Sequence, residues 1–308
     1  MNKNEIAELG EIIKEKSAIT QEKLEKIIHF DNLISLKNNI LCHYLLIKNT
    51  GDDIRENDFL KLIYQNIIAF VLNYEEYQND GNLNGAELAG KFTDLLSIAK
   101  SKFQKTNLLT GEVGELILFL LLESQNISRV ISKIRLKTNP EMPIHGVDAI
   151  HVQIDNGNII LHYGEAKMYN NFNDGLRSSI ESIEKLDDKQ KDIEIDLIRT
   201  NIDGSKFGLH TNKIIELLNP YADNKENLMT KHPIFIGYDW DVLNDLLKRN
   251  GKPLTDYLRE EYAQAQTNYS NNIRSKVENS KIKEKSFHFF ILPFKDVGKF
   301  RASFLEIL

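Results

Sequence analysis

Apolar residues recur every three to four positions through much of the first hundred residues. One series consists of Ile27, Ile28, Leu33, Ile34, Leu36, Ile40 and Leu41. A second series consists of Phe59, Leu60, Leu62, Ile63, Ile67, Ile68 and Val71. This spacing predicts amphipathic helices, and two further helices are predicted near residues 86–103 and 111–124. The first proline is Pro140, which is consistent with long helices early in the chain.

The pattern changes after residue 124. Residues 129–137 are β-branched and basic and predict a strand, and an irregular loop follows at 138–146. Further strands are predicted on both sides of Asn156-Gly157 and at 193–200, 234–238 and 286–292. Helices are predicted near 174–187, 212–218, 240–248, 254–276 and 296–307. This order predicts an α/β fold with a mixed sheet flanked by helices in residues 106–308, after a helical N-terminal region in residues 1–105.

Composition is that of an ordinary globular protein, with 41% hydrophobic and 27% charged residues among 308. The single cysteine, Cys42, excludes a disulfide framework and a cysteine-rich zinc site, and its apolar neighbours favour a place in the core. The N-terminus lacks the apolar segment of a signal peptide. The longest apolar run, Leu116–Leu122, is too short to span a membrane. We therefore expect a cytoplasmic protein without membrane association.

Net charge is −6, which is unfavourable for binding nucleic acid unless the basic residues gather on one face or a partner assists. Two clusters of basic residues could contact a DNA backbone. The first, Lys133, Arg135 and Lys137, alternates along the predicted strand. The second consists of Arg274, Lys276, Lys281, Lys283 and Lys285. The nearby aromatic residues are better explained as core than as base-stacking platforms, and they are Phe287, Phe289, Phe290, Phe294 and Phe300.

A β-hairpin is the most informative element of the sequence. Asn156-Gly157 lies between alternating apolar residues, which is typical of a two-residue turn with positive φ at both central positions. If Asp155 faces Asn158, the numbers of paired residues sum to 313, so Asp148 faces Glu165. Because side chains alternate along a strand, Asp148, Glu165 and Lys167 share one face with the apolar row that ends there.

These three residue types suit phosphodiester hydrolysis. Two carboxylates about 5 Å apart across a strand pair repel each other unless a cation lies between them. Mg²⁺ binds one or two carboxylates together with water and phosphate oxygens, and it can activate a water for attack. Lys167 could orient that water or neutralise the phosphate. A plain ion-pair cluster at the rim of a sheet remains the alternative explanation of Asp148, Glu165 and Lys167.

The predicted helix near residue 111 adds two more carboxylates. Glu112 and Glu115 are three residues apart and share a face, and acidic residues are favoured at a helix N-terminus for electrostatic reasons alone. That explanation fits Glu112 better, because Glu115 directly precedes the buried run. His145 is close enough in sequence to Asp148 to enter the site, although a surface loop position is favoured. The histidines lack the spacing of a zinc site.

An Asp on one strand and Glu-x-Lys on the next, after a helix carrying Glu, resembles the PD-(D/E)XK restriction-endonuclease-like nuclease superfamily. The usual Pro-Asp is replaced here by Val147-Asp148. More narrowly, GEVGE at 111–115, HGVDAIHV at 145–152 and GEAKMYNNFNDGL at 164–176 look like the HamA nuclease subunits of the bacterial Hachiman anti-phage defence system. Related helicase-associated abortive-infection proteins are similar. The resemblance covers roughly residues 105–300.

The resemblance implies a restriction-endonuclease-like sheet and a Mg²⁺-dependent deoxyribonuclease, with Mn²⁺ as a possible substitute. It implies that Asp148, Glu165 and one helix carboxylate, by preference Glu115, bind the metal, and that Lys167 positions the nucleophile. The implied partners are DNA and the helicase subunit (HamB-type) of the same system, which restrains and works with the nuclease; a homo-oligomer is not predicted. The alternative hypothesis is a catalytically silent interaction subunit that docks on the helicase and regulates it.

Overall fold

The computed structural model describes residues 3–37, 39–78, 83–103, 111–137, 148–156, 158–186, 193, 196–197, 199–217 and 228–308. The strands are β1 (Ile28–Lys37), β2 (Ile40–Ile47), β3 (Asn49–Thr50), β4 (Asp53–Ile54), β5 (Ser128–Arg129), β6 (Ala149–Asp155), β7 (Asn158–Tyr169), β8 (Leu228–Asp239) and β9 (Ser286–Phe294). The first six helices are α1 (Lys3–Glu15), α2 (Gln21–Glu25), α3 (Glu56–Gln65), α4 (Ile67–Val71), α5 (Tyr74–Tyr77) and α6 (Gly85–Ser101). The others are α7 (Glu112–Glu123), α8 (Phe172–Lys185), α9 (Gly204–Phe207), α10 (Thr211–Leu217), α11 (Leu254–Glu278) and α12 (Val297–Ile307).

Seven strands form one mixed sheet in the order β1-β2-β9-β8-β7-β6-β5. The four central strands β2, β9, β8 and β7 are parallel, whereas β1 at one edge and β6 and β5 at the other are antiparallel to their neighbours. Helices cover both faces, so the predicted α/β class with a mixed sheet is confirmed. Within the described ranges, no helix combines the length and apolar character that a membrane span requires.

Both faces of the sheet are buried. On one face, α3, α4, α7 and α12 pack over residues such as Phe235 and Phe290. On the other face, α8 and α11 cover the middle of the sheet around Ile234 and Ile236. Toward the β6–β7 end of that face, α1 packs Leu9 against the hairpin. The central strands are therefore covered on both faces and mostly apolar, as is typical of parallel strands.

The prediction of a helix over residues 27–41 is wrong, because this segment forms β1 and the start of β2. In β2, Cys42 and Tyr44 pack on the α11 face while Leu45 and Ile47 pack on the opposite face. In β1, an edge strand, register shifts between His29 and Asn32 and between Ser35 and Lys37 interrupt the two-residue alternation that identifies a strand. β2 is buried on both sides and is therefore apolar at nearly every position, so its sequence also satisfies a helical period. Cys42 is buried, as predicted.

Three other predicted elements also differ. Residues 129–137 form only the end of β5 and a short 3₁₀ helix at Ile134–Leu136. The described residues within 193–200 are helical rather than extended. Residues 240–248 contain two 3₁₀ segments, Asp241–Leu243 and Leu246–Arg249, instead of one α-helix. The remaining helices and strands are confirmed, whereas the loop at 138–146 and the domain boundary between 105 and 106 lie outside the described residues, so both stay predictions.

Candidate active site

The hairpin forms in the predicted register. Asp155 pairs with Asn158, Val152 with Leu161 and Ile150 with Tyr163. Asn156 has a φ of 49°, as a turn of this type requires; Gly157 lies outside the described residues. Val152, Leu161 and Tyr163 belong to the cluster beneath α1, whereas Ala149 and Ala166 belong to the cluster on the opposite face. The predicted division of the hairpin into two faces is thereby confirmed.

Asp148 departs from the predicted pairing by one residue. Its backbone N–H donates to the Gly164 carbonyl at 3.0 Å, so Asp148 does not lie directly opposite Glu165. Asp148 precedes β6, which begins at Ala149. The Oδ2 atom of its carboxylate accepts a hydrogen bond from the backbone N–H of Ala166 on β7 at 2.8 Å. The offset therefore lets the side chain of Asp148 satisfy a backbone donor of β7.

Glu165 and Lys167 form a close pair on β7. The Lys167 Nζ lies 2.5 Å from Oε1 of Glu165, which is buried and also bonded to Ser182 on α8. Burial, and secondly the Asp148 carboxylate, raise the pKa of Glu165 to about 7, although Lys167 opposes them. Burial alone would lower the pKa of Lys167, but the Glu165 and Asp148 carboxylates raise it. Lys167 is thus a cation at neutral pH, paired with Glu165 and electrostatically favoured by Asp148.

The two helix carboxylates have different surroundings. Glu112 is buried in an ion pair with Lys137, which fixes the N-terminus of α7 to the segment after β5. Glu115 is half-buried one turn further along. Its pKa is raised well above the ordinary range by burial and then by Asp148, Glu112 and Glu165. The electrostatic coupling of Glu115 to the hairpin carboxylates makes it the better candidate for a third member of the site.

The donor chemistry fits a hard divalent cation, because Asp148 raises the pKa of both Glu115 and Glu165 and a cation would relieve this repulsion. In the structure the hairpin carboxylates already have partners from the protein. Glu165 pairs with Lys167, and Asp148 accepts the backbone N–H of Ala166. Among the residues that the structure describes, no three His, Cys, Asp or Glu side chains are grouped closely enough to bind a metal ion as they stand.

Nearly the full length of the chain corresponds to one protein family. The model of the HamA family matches residues 22–308, which include the hairpin and α7. The chain belongs to the HamA family. Membership of this family identifies the chain as a protein of the Hachiman anti-phage defence system. No curated protein matches the chain.

The basic residues of this HamA protein are distributed differently from the prediction. Lys133 lines a cavity beside Glu115 and Asp148, whereas Lys137 pairs with Glu112 and Arg135 with a glutamate on α5. The three therefore point to different partners and do not form one basic row. The second cluster is divided between α11 and the turn before β9. The five phenylalanines from Phe287 to Phe300 that were assigned to the core are buried there, as predicted.

Two residues beside the hairpin carboxylates were missed by the sequence reasoning. Arg129 and His151 are buried and line the same cavity as Glu115 and Asp148. Arg129 donates to the carbonyls of Ala69 and Leu72 at 2.7 Å, so it also fixes the end of α4. A polar residue inside an otherwise apolar strand was the available signal for His151, whereas Arg129 lies among other polar and basic residues and had no such signal. His145 lies outside the described residues.

Proposed function

We propose that this HamA protein is a Mg²⁺-dependent DNA nuclease, the effector of its defence system, which works with and is restrained by the helicase subunit. One observation carries the proposal: Glu165, with a pKa raised to about 7 by burial and by Asp148, is in contact with the Lys167 ammonium at 2.5 Å. A buried carboxylate, an acidic neighbour and a lysine on adjacent strand ends are the groups that metal-assisted phosphodiester hydrolysis needs.

Each residue would have a distinct role. Asp148, Glu165 and Glu115 would hold the cation, and the ionised form of Glu165 is the form that binds it. A bound divalent cation would supply an activated water and offset charge on the phosphate. Lys167 would then leave Glu165 to contact the attacking water or a phosphate oxygen, where a positive charge is most useful as negative charge develops.

The test is cleavage of linear duplex, closed circular and single-stranded DNA by the purified chain, with Mg²⁺ or with chelator, and with or without the helicase subunit. Lys167→Ala should lower the rate by roughly 10²–10³-fold, and Glu165→Ala together with Lys167→Ala should abolish cleavage while helicase association persists. Lys26→Ala is the matched control, since this lysine on the N-terminal side of β1 is exposed. Absence of Mg²⁺-dependent cleavage even by the chain freed from its partner would contradict the proposal.

The alternative of a silent docking subunit rests on a different feature. Helix α6 has 17 residues, of which only Ala99 is buried, while Phe92 and Ile98 are 51% and 48% exposed. These exposed apolar side chains are available to a docking partner. The same variants separate the two functions: a docking subunit would regulate the helicase equally well with Lys167→Ala and would never cut DNA.

A further inference from the structure

A small cavity lies between α7, the segment after β5 and the start of β6. It leaves about 20 Å³ of space for water, and its lining includes Glu115, Asp148, Arg129, Lys133 and His151. Two carboxylates and three nitrogen-bearing side chains thus line one small space. The cavity adjoins the proposed metal site on the side of α7.

His151 is an unusual member of this lining. It is 1% exposed, and within the described residues neither of its ring nitrogens has a hydrogen-bond partner. The Nε of Arg129 is also buried without a partner there. Leaving such a polar atom buried and unsatisfied destabilises the folded state. The side-chain neighbours of His151 include the Phe119 ring, with centroids 6.2 Å apart, which offers no acceptor.

The dimensions and the polarity of the cavity both suit one water molecule. A buried water needs roughly 10–15 Å³ and two to four polar partners. Neutral histidine offers one donor and one acceptor nitrogen, the Arg129 Nε offers a donor, and the carboxylates of Glu115 and Asp148 offer acceptors. A phosphate group is larger than this space allows, so the cavity itself is not a substrate site.

We propose that this cavity holds an internal water molecule through which His151 and Arg129 orient the carboxylates of Glu115 and Asp148. His151 is then a positioning residue for the metal ligands, and this inference rests on the proposed function. Groups that hydrogen-bond to metal ligands fix their orientation, and their loss lowers metal affinity by about 10–100-fold.

The experiment compares Mn²⁺ affinity, measured by calorimetry on the full chain, with thermal unfolding of the metal-free protein. His151→Phe keeps the ring and removes both nitrogens, so it should weaken Mn²⁺ binding about 10–100-fold without lowering the unfolding temperature. His151→Gln should restore most of the affinity. The matched control is His162→Phe, because His162 is also buried on the adjacent strand but bonds Gln153 at 3.2 Å and does not line the cavity.

The outcomes distinguish this inference from the proposed function. If the unsubstituted chain binds Mn²⁺ and cuts DNA but His151→Phe binds Mn²⁺ equally well, the positioning role of His151 is refuted and the nuclease stands. If the unsubstituted chain neither binds Mn²⁺ nor cuts DNA, both fail. A high-resolution crystal structure of the unsubstituted chain serves if the variants do not fold. Density for a water within hydrogen-bond distance of His151 supports the inference, and an empty cavity overturns it.

Discussion

Binding of a divalent cation is expected to weaken markedly as the pH falls from about 8 to about 6. The reason is that a carboxylate binds the cation only when ionised, and burial and Asp148 raise the pKa of Glu165 to about 7. Lys167 stays protonated throughout this range, because its pKa is raised above the ordinary lysine value. The pH dependence therefore comes from the carboxylates.

The magnitude follows from the ionised fraction. With a pKa of about 7, roughly nine-tenths of Glu165 is ionised at about pH 8 and roughly one-tenth at about pH 6. The apparent affinity should therefore fall about tenfold between them. Glu115, whose pKa is also raised, makes the dependence steeper. In the metal-free protein, Glu165 also makes the free energy of unfolding depend on pH. In the unfolded chain its carboxyl group ionises near the ordinary pKa of 4.5, whereas in the folded chain it stays protonated up to about 7. The free energy of unfolding thus falls, by at most roughly 3 kcal/mol, as the pH rises to about 7.

The assay is calorimetric titration with Mn²⁺ at several pH values, in two buffers of different ionisation enthalpy, so that proton release is counted directly. Glu165→Gln should bind weakly and lose the part of the pH dependence that Glu165 contributes, keeping only the part that comes from Glu115. Glu181→Gln, at an exposed position on α8, should behave like the unsubstituted chain. Affinities that agree within about twofold from about pH 6 to 8, or binding without proton release, would refute the reasoning.

Two further predictions concern stability, and chemical denaturation tests both. Gly164→Ala should lower the free energy of unfolding by about 1–3 kcal/mol, because a Cβ there would lie 2.9 Å from two side-chain carbons. Gly90→Ala is the control: a Cβ there meets nothing within 4 Å, so the change should be neutral or stabilising. Equal effects of the two changes would contradict the close packing at Gly164. Glu123→Gln should cost about 3–5 kcal/mol, since it leaves buried Lys206, now 2.6 Å from the Glu123 carboxylate, without its counter-charge. Glu22→Gln, at an exposed position, is the control. If Glu123→Gln lowers the free energy of unfolding by no more than Glu22→Gln does, the argument is wrong.

The local parts of the site could be predicted from the sequence. Asn156-Gly157 between alternating apolar residues was sufficient to give the register of β6 and β7, because a two-residue turn fixes which residues pair. The offset at Asp148 could not be foreseen, since it depends on the N–H of Ala166 becoming available where β6 ends. The helices α7 and α8 followed from their apolar spacing.

The long-range parts could not be predicted. β2 pairs with β9, so residues such as Cys42 and Phe289 meet across most of the chain, and no local pattern specifies that contact. Burial on both faces also removes the alternation that identifies a strand. The cavity beside Glu115 also depends on a long-range contact. Arg129 and His151 come together to line it only because β5 pairs with β6.

The central claim is that carboxylates of the hairpin and of α7 share one cation. The most direct measurement is anomalous diffraction from crystals of the chain grown with Mn²⁺. The account predicts a single strong anomalous peak bounded by Asp148, Glu165 and Glu115, with the Lys167 ammonium displaced from Glu165. A peak elsewhere, or none while Glu165 and Lys167 remain paired, would contradict it.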